Sequence, residues 1–142
     1  MRRLFIAVAS LGVVMAAAPL GAHHSFAAQF DDKAPVEIKG TLSKMEWLNP
    51  HTWIHVDVKE ADGKVVTWAI EGATPNSLLR RGLRQTDFPV GRELVVHGYR
   101  AKNGSPVASG EKLTFTDGRN FYLGAGDPQP GAGAAPAAPK PY

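Results

Sequence analysis

The sequence predicts a mostly β fold, a small five- to six-stranded barrel with one short helix, preceded by a cleaved leader. Three observations lead there. Apolar and polar residues alternate with period two, the mark of a half-buried strand, in several short segments. Asp62-Gly63, Asn103-Gly104 and Asp117-Gly118, dipeptides that favour tight turns, separate the segments. A single run from Thr74 to Gly82 carries helix start and stop signals, and it falls after the third segment.

Met1-Arg2-Arg3, an apolar run from Leu4 to Ala18 and then Pro19-Leu20-Gly21-Ala22 have the basic start, apolar middle and small exit residue of a secretory signal peptide. Residues 1–22 are therefore expected to be removed, with Ala22 before the cut and Leu20 tolerated two residues earlier. A cut after Ala18 would leave Pro19 first, which signal peptidases disfavour. A cut after Ala27 would remove His23 and His24. The competing reading is an uncleaved anchor, because Leu4 to Ala22 approaches the ~20 apolar residues that span a bilayer. Gly12, Pro19 and Gly21 interrupt it, so cleavage is favoured and no stable membrane anchor is expected afterwards. The chain has no cysteine, which excludes a lipid-modified cysteine and any disulfide.

Residues 23–35 lack periodicity and read as an extended arm, which Phe26 and Phe30 can pin to the domain. The domain itself is expected over 36–123. Val36, Ile38, Gly40 and Leu42 alternate with Glu37, Lys39, Thr41 and Ser43, and Gly40 within that strand marks a bend or bulge. Trp47-Leu48-Asn49-Pro50 turns the chain into a second strand, His51 to Lys59, with Ile54, Val56 and Val58 on one face and Trp53, His55 and Asp57 on the other. Val65 to Ile70 is the third strand. Thr74 caps a helix of about two turns, Pro75 suits its first turn, Gly82 closes it, and Leu78 and Leu79 are expected to dock it. Glu93 to Arg100, Lys112 to Thr116 and Asn120 to Leu123 complete the strands. Three strands, a short helix and then two more strands is the element order of an OB-like barrel. From 124 to 142, Gly, Pro and Ala dominate, the composition of a disordered tail.

The formal charge of +3 falls once the leader goes: without Arg2 and Arg3, 14 basic residues face 13 acidic ones, a net of +1. Binding to nucleic acid works by neutralising phosphates, and this balance argues against it. Arg80, Arg81 and Arg84 form the one local basic cluster, read as a solvated helix end.

His23-His24-Ser25-Phe26, Trp47-Leu48-Asn49-Pro50-His51-Thr52-Trp53-Ile54, Pro75-Asn76-Ser77-Leu78-Leu79-Arg80-Arg81-Gly82 and Gly98-Tyr99-Arg100-Ala101-Lys102 resemble a small family of exported bacterial proteins known only as a domain of unknown function (DUF6152-like). The resemblance spans nearly all of 23–123. It implies export to the periplasm or beyond and a single β-rich domain, and it carries over no activity, cofactor or catalytic residue.

Two constellations can carry chemistry. If processing ends at Ala22, His23 leads the mature chain, and its free amine and imidazole can chelate one transition metal. Copper is the first candidate, and His24, His51 or His55 could supply further ligands. The plain alternative is a polar linker. His51 and His55 would share one strand face, but four extended residues put their α-carbons ~13 Å apart, too far for one ion on a regular strand. Taken singly, His51 reads as a turn histidine bonded to backbone and His55 as a half-exposed strand residue. His97, on a strand not adjacent to the second, is the weakest candidate.

The second constellation is Trp53 with His55 and Asp57, an outward aromatic in a polar surround, able to bind an envelope protein or an extended polymer. Alternatively Trp53 covers the barrel end or packs under the arm against Phe26 or Phe30. Trp47 and Trp68 read as core or rim. Ser25, Ser43, Ser77, Ser105 and Ser109 lack a nucleophile-elbow context, no glycine-rich loop cradles phosphate, and Asp31-Asp32 and Glu37 with Glu46 read as solvated. The expectation is a non-enzymatic, exported ligand-binding protein.

Overall fold

A computed structural model describes residues 26–124. The described residues form six strands, β1 (Phe30–Glu46), β2 (Trp53–Lys59), β3 (Val65–Glu71), β4 (Glu93–Ala101), β5 (Val107–Phe115) and β6 (Asn120–Tyr122), a helical stretch over 26–29 just ahead of β1, a helix α1 (Pro75–Arg80) and a 3-10 turn (Gln85–Asp87). The sheet order is β3-β2-β1-β4-β5-β6, and β3 also pairs with β5, so five strands close into a ring. The β3–β5 pairing is parallel, Ala69 to Glu71 against Val107 to Ser109, and the other pairings are antiparallel. A helix between the third and fourth strands of such a ring is the OB-like arrangement.

β1 begins at Phe30, ahead of the expected Val36, because part of the arm extends the strand: Phe30 stands opposite Ala101 and Pro35 opposite Tyr99, with an irregularity between them. Phe30 is buried, its ring 5.6 Å from that of Phe26, which meets Tyr99 edge-on at 5.8 Å. The two phenylalanines thus pin the arm. The long strand serves two neighbours, β4 through Thr41 and β2 from Thr41 onward. Gly40 sits at that changeover, and a Cβ there would lie 2.3 Å from the Asp57 carbonyl oxygen, so only glycine lets the two strands approach.

The expected bulge falls just beyond Gly40, between Leu42 and Lys44. Strict alternation would send Lys44 and Glu46 inward with Leu42. The extra residue, Ser43, resets the phase, so that Leu42 and Met45 are buried while Lys44 is exposed and Glu46 half-buried.

On α1, Thr74 Oγ1 accepts from the Ser77 amide at 3.1 Å, capping the start as the sequence predicts. At the other end the Leu83 amide reaches the Leu78 carbonyl and the Gly82 amide that of Leu79, with Gly82 at φ +80°. This is a Schellman close, and Leu78 and Leu83 are both buried beside it. Leu79 is 48% exposed, which corrects the expectation that both leucines dock: in so short a helix the two adjacent residues point about 100° apart.

β5 starts at Val107, well before the expected Lys112. Its first residues are small because strands converge there: a Cβ on Gly110 would meet Ile70 at 2.8 Å, and one on Gly98 the Ser109 carbonyl oxygen at 2.1 Å. Small side chains read as loop in the sequence although they mark the tightest part of the ring. Ile38, Leu42, Ile54, Val56, Ile70, Leu94 and Leu113 fill the interior, and Trp47 and Trp68 pack against them.

Candidate functional site

β2 lies between β1 and β3, and its alternation is as predicted: Ile54 and Val56 are buried, while Trp53, His55 and Asp57 turn away from the core and are half-buried. Register fixes what surrounds Trp53. Directly opposite it stand Glu46 on β1 and Glu71 on β3, so both carboxylates share its face. Lys44 stands opposite His55, and Thr67 opposite Asp57.

Each flanking carboxylate is joined to a histidine of the β2 segment. His51 Nδ1 is 3.0 Å from Glu71 Oε1 and 3.4 Å from the Gly72 carbonyl oxygen. Both partners accept, so Nδ1 carries the hydrogen. His55 Nε2 is 3.4 Å from Glu46 Oε2, yet this buried nitrogen makes no aligned hydrogen bond. Lys44 Nζ donates to the other oxygen of Glu46. Trp53 therefore stands between two carboxylate–imidazole pairs, bracketed by histidines along the chain and by glutamates across the sheet.

The two carboxylates differ. Burial pushes the Glu71 carboxyl above the ordinary carboxylate range, and the adjacent His51 pulls the other way. The Lys44 hydrogen bond, followed by the nearby His55 ring, holds Glu46 below that range. Asp57 stitches the sheet: its Oδ1 accepts from Ser43 Oγ at 3.0 Å and Thr67 Oγ1 at 2.7 Å. Ser43 Oγ also lies 3.2 Å from the His55 carbonyl oxygen. The bulge that turns Glu46 toward Trp53 is thus held by Asp57.

Thr52 holds the neighbouring loop. It is the buried polar residue of the described chain, donating from Oγ1 to the Ala73 carbonyl at 2.9 Å, while the Gly72 amide donates to its carbonyl. That clamp ties the loop after the cis Asn49–Pro50 bond to the exit of β3 and sets His51 beside Glu71.

Of the residues singled out in the sequence, the structure gathers Trp53, His51, His55 and Asp57 on one side of the ring. His51 makes the backbone contact expected of a turn histidine and adds a contact with the Glu71 carboxyl at 3.0 Å. Trp53 makes no ring–ring contact among the described residues, since Phe26 is engaged by Phe30 and Tyr99. His97 stands apart on β4, 3.9 Å from Glu37, at an open hollow of about 350 Å³ lined also by Pro35, Tyr99 and Glu111. Arg81 is no simply solvated helix end: its guanidinium lies over the Tyr122 ring and donates to the Gly124 carbonyl at 2.8 Å.

The expected leader, His23, His24 and the expected tail beyond Gly124 lie outside the described residues. No group of three histidine, cysteine, aspartate or glutamate side chains able to hold a metal occurs among the described residues. His51 and His55 have different carboxylate partners, consistent with the separation that extended geometry imposes.

Sequence reasoning missed Glu46, Glu71, Thr52 and the bulge role of Ser43. For Glu46 a signal existed: Leu42 and Met45 are three apart where period two demands an even spacing. Glu71 closes the third strand, and only register reveals that it faces Trp53.

The model of a family of unknown function, DUF6152, matches residues 9–110. No curated protein and no solved structure matches the chain. The match runs through β1, β2, β3, α1 and β4, and so through every residue that surrounds Trp53; the chain belongs to this family.

Proposed function

We propose that the protein is an exported, non-enzymatic binding module of the cell envelope, and that its binding surface is the outer face of β1, β2 and β3 around Trp53. One observation carries this reading: a half-buried, outward tryptophan on a central strand, bracketed by His51–Glu71 and His55–Glu46. An aromatic surface within a ring of fixed polar groups is the usual composition of a recognition site. Two hydroxyls on this face, those of Ser43 and Thr67, are engaged by Asp57, which leaves them poorly placed as nucleophiles. Glu46, Asp57 and Glu71 outnumber Lys44 and Lys59 on the outer side of β2 and its cross-strand partners, which opposes a polyanionic partner such as nucleic acid.

Sedimentation of the purified mature chain with washed envelope fractions tests the proposal. Trp53→Ala is expected to cut retention about tenfold, the effect of losing one stacking platform worth ~1–3 kcal/mol. His97→Ala, on β4 and away from the Trp53 cluster, leaves retention unchanged. Equal retention of wild type and Trp53→Ala would contradict the reading.

A second reading rests on the place of His23 just after the expected cut: copper or another transition metal held by the His23 amine and imidazole, with His24 and one of His51 or His55. Calorimetric titration of the mature chain with Cu(II) decides it, because affinity that survives replacement of both His23 and His24 rules out that site.

A further inference from the structure

The side chains around Trp53, and the position of β2 in the ring, narrow the chemistry of what can bind there. β2 is paired on both sides, with β1 through Trp53 to Asp57 and with β3 through Trp53 to Lys59. Its amides and carbonyls belong to those ladders, so an extended peptide finds no free edge here and cannot join by adding a strand. Recognition has to come from side chains alone.

Those side chains are an aromatic face and a set of mutually engaged polar groups. Glu46 is taken by Lys44 and faces His55; Glu71 is bonded to His51; Asp57 is bonded to two hydroxyls. A cationic ligand would compete with Lys44 for Glu46 and with His51 for Glu71, and Glu71 is held toward its neutral form by burial. A polyanion would meet Glu46, Asp57 and Glu71 against Lys44 and Lys59. What remains is a ligand that is uncharged, stacks a C–H-rich face on an indole, and both donates and accepts hydrogen bonds. Glu71 Oε2 remains as an acceptor and His51 Nε2 as a further ring nitrogen, each beside Trp53. Sugar hydroxyls, which donate and accept at once, suit such a mixed set.

We propose that the Trp53 face binds an uncharged glycan, one sugar ring lying on the indole with its hydroxyls bonded to the flanking Glu46, Glu71 and His51 side chains. This deepens the binding-face reading and rests on it. The corresponding strand face is where OB-like domains often take oligosaccharides, which is an analogy of fold and agrees with the residues found here.

Calorimetric titration of the mature chain with hexamers of β-1,4-linked N-acetylglucosamine, hexamers of β-1,4-linked glucose and a linear dextran tests the proposal, with heparin as the charged control. At least one uncharged oligomer is expected to bind and heparin not to bind. Trp53→Ala is expected to weaken binding about tenfold or more, and Trp53→Phe, which keeps an aromatic face, by only about threefold. Glu46→Gln, at a partly exposed position, keeps the fold whatever happens to the tryptophan variants and is expected to weaken binding severalfold. If no uncharged oligomer binds while envelope retention still depends on Trp53, the glycan proposal is overturned and the binding face stands. Sugar binding indifferent to both Trp53→Ala and Glu46→Gln overturns it as well. If neither sugar binding nor envelope retention depends on Trp53, both readings fall.

Discussion

Glu71 shows how one residue couples stability to the site. Its carboxyl is raised above the ordinary range by burial, so its contribution to folding is fully present below the unfolded-state value and is lost as pH rises through the folded one. Glu71→Gln keeps an acceptor for His51 and removes that liability. Its melting temperature should match wild type near pH 3 and exceed it at pH 7, and a loss at pH 7 would show that the ionised carboxylate is needed for the fold. Glu46 has the opposite sign: its lowered carboxyl favours the folded chain above the ordinary carboxylate range, an effect lost as pH falls through the folded value. Thr52 acts on geometry. Thr52→Val keeps the shape and deletes the donor to Ala73, leaving a buried carbonyl with one partner fewer; a cost of about 1 kcal/mol in chemical denaturation is expected. None of these three roles was legible in the chain. Thr52 depends on a partner 21 positions away, and Glu46 and Glu71 depend on register.

The elements were legible where side chains alternate and illegible where backbones crowd. β2, β3 and β4 follow clear period two, and α1 carries its cap and its closing glycine in sequence. β5 hid in its first half because Ala108 and Gly110 are small, the very feature that lets it lie beside β3 and β4. The Ser43 bulge hid for a related reason: one inserted residue changes which face every later side chain takes, and no local composition announces it. Two variants probe these elements. Gly98→Ala must displace the Ser109 carbonyl and should destabilise by about 1–3 kcal/mol, read from the denaturation midpoint. Asp57→Ala frees Ser43 and Thr67 and should cost about 2 kcal/mol, with a lower affinity for envelope material because Glu46 is no longer held beside Trp53.

For the whole molecule, ring closure makes β2 a central strand with its outer face turned away from the core. The hydrophobic interior and the parallel β3–β5 contact hold that face in place, and the bulge and the Thr52 clamp supply its polar border. The OB-like order was readable from element sequence alone, whereas the ring of partners around Trp53 exists only once β1, β2 and β3 are in register. Fluorine resonance of the mature chain labelled with 5-fluorotryptophan tests this face most directly. Three resonances are expected, that of Trp53 identified by its loss in Trp53→Phe, with Trp47 and Trp68 packed against the core. On addition of washed envelope fraction, the Trp53 resonance should shift or broaden while the other two hold. A response confined to Trp47 or Trp68, or three unchanged resonances while the chain sediments with the added material, would contradict binding through this face.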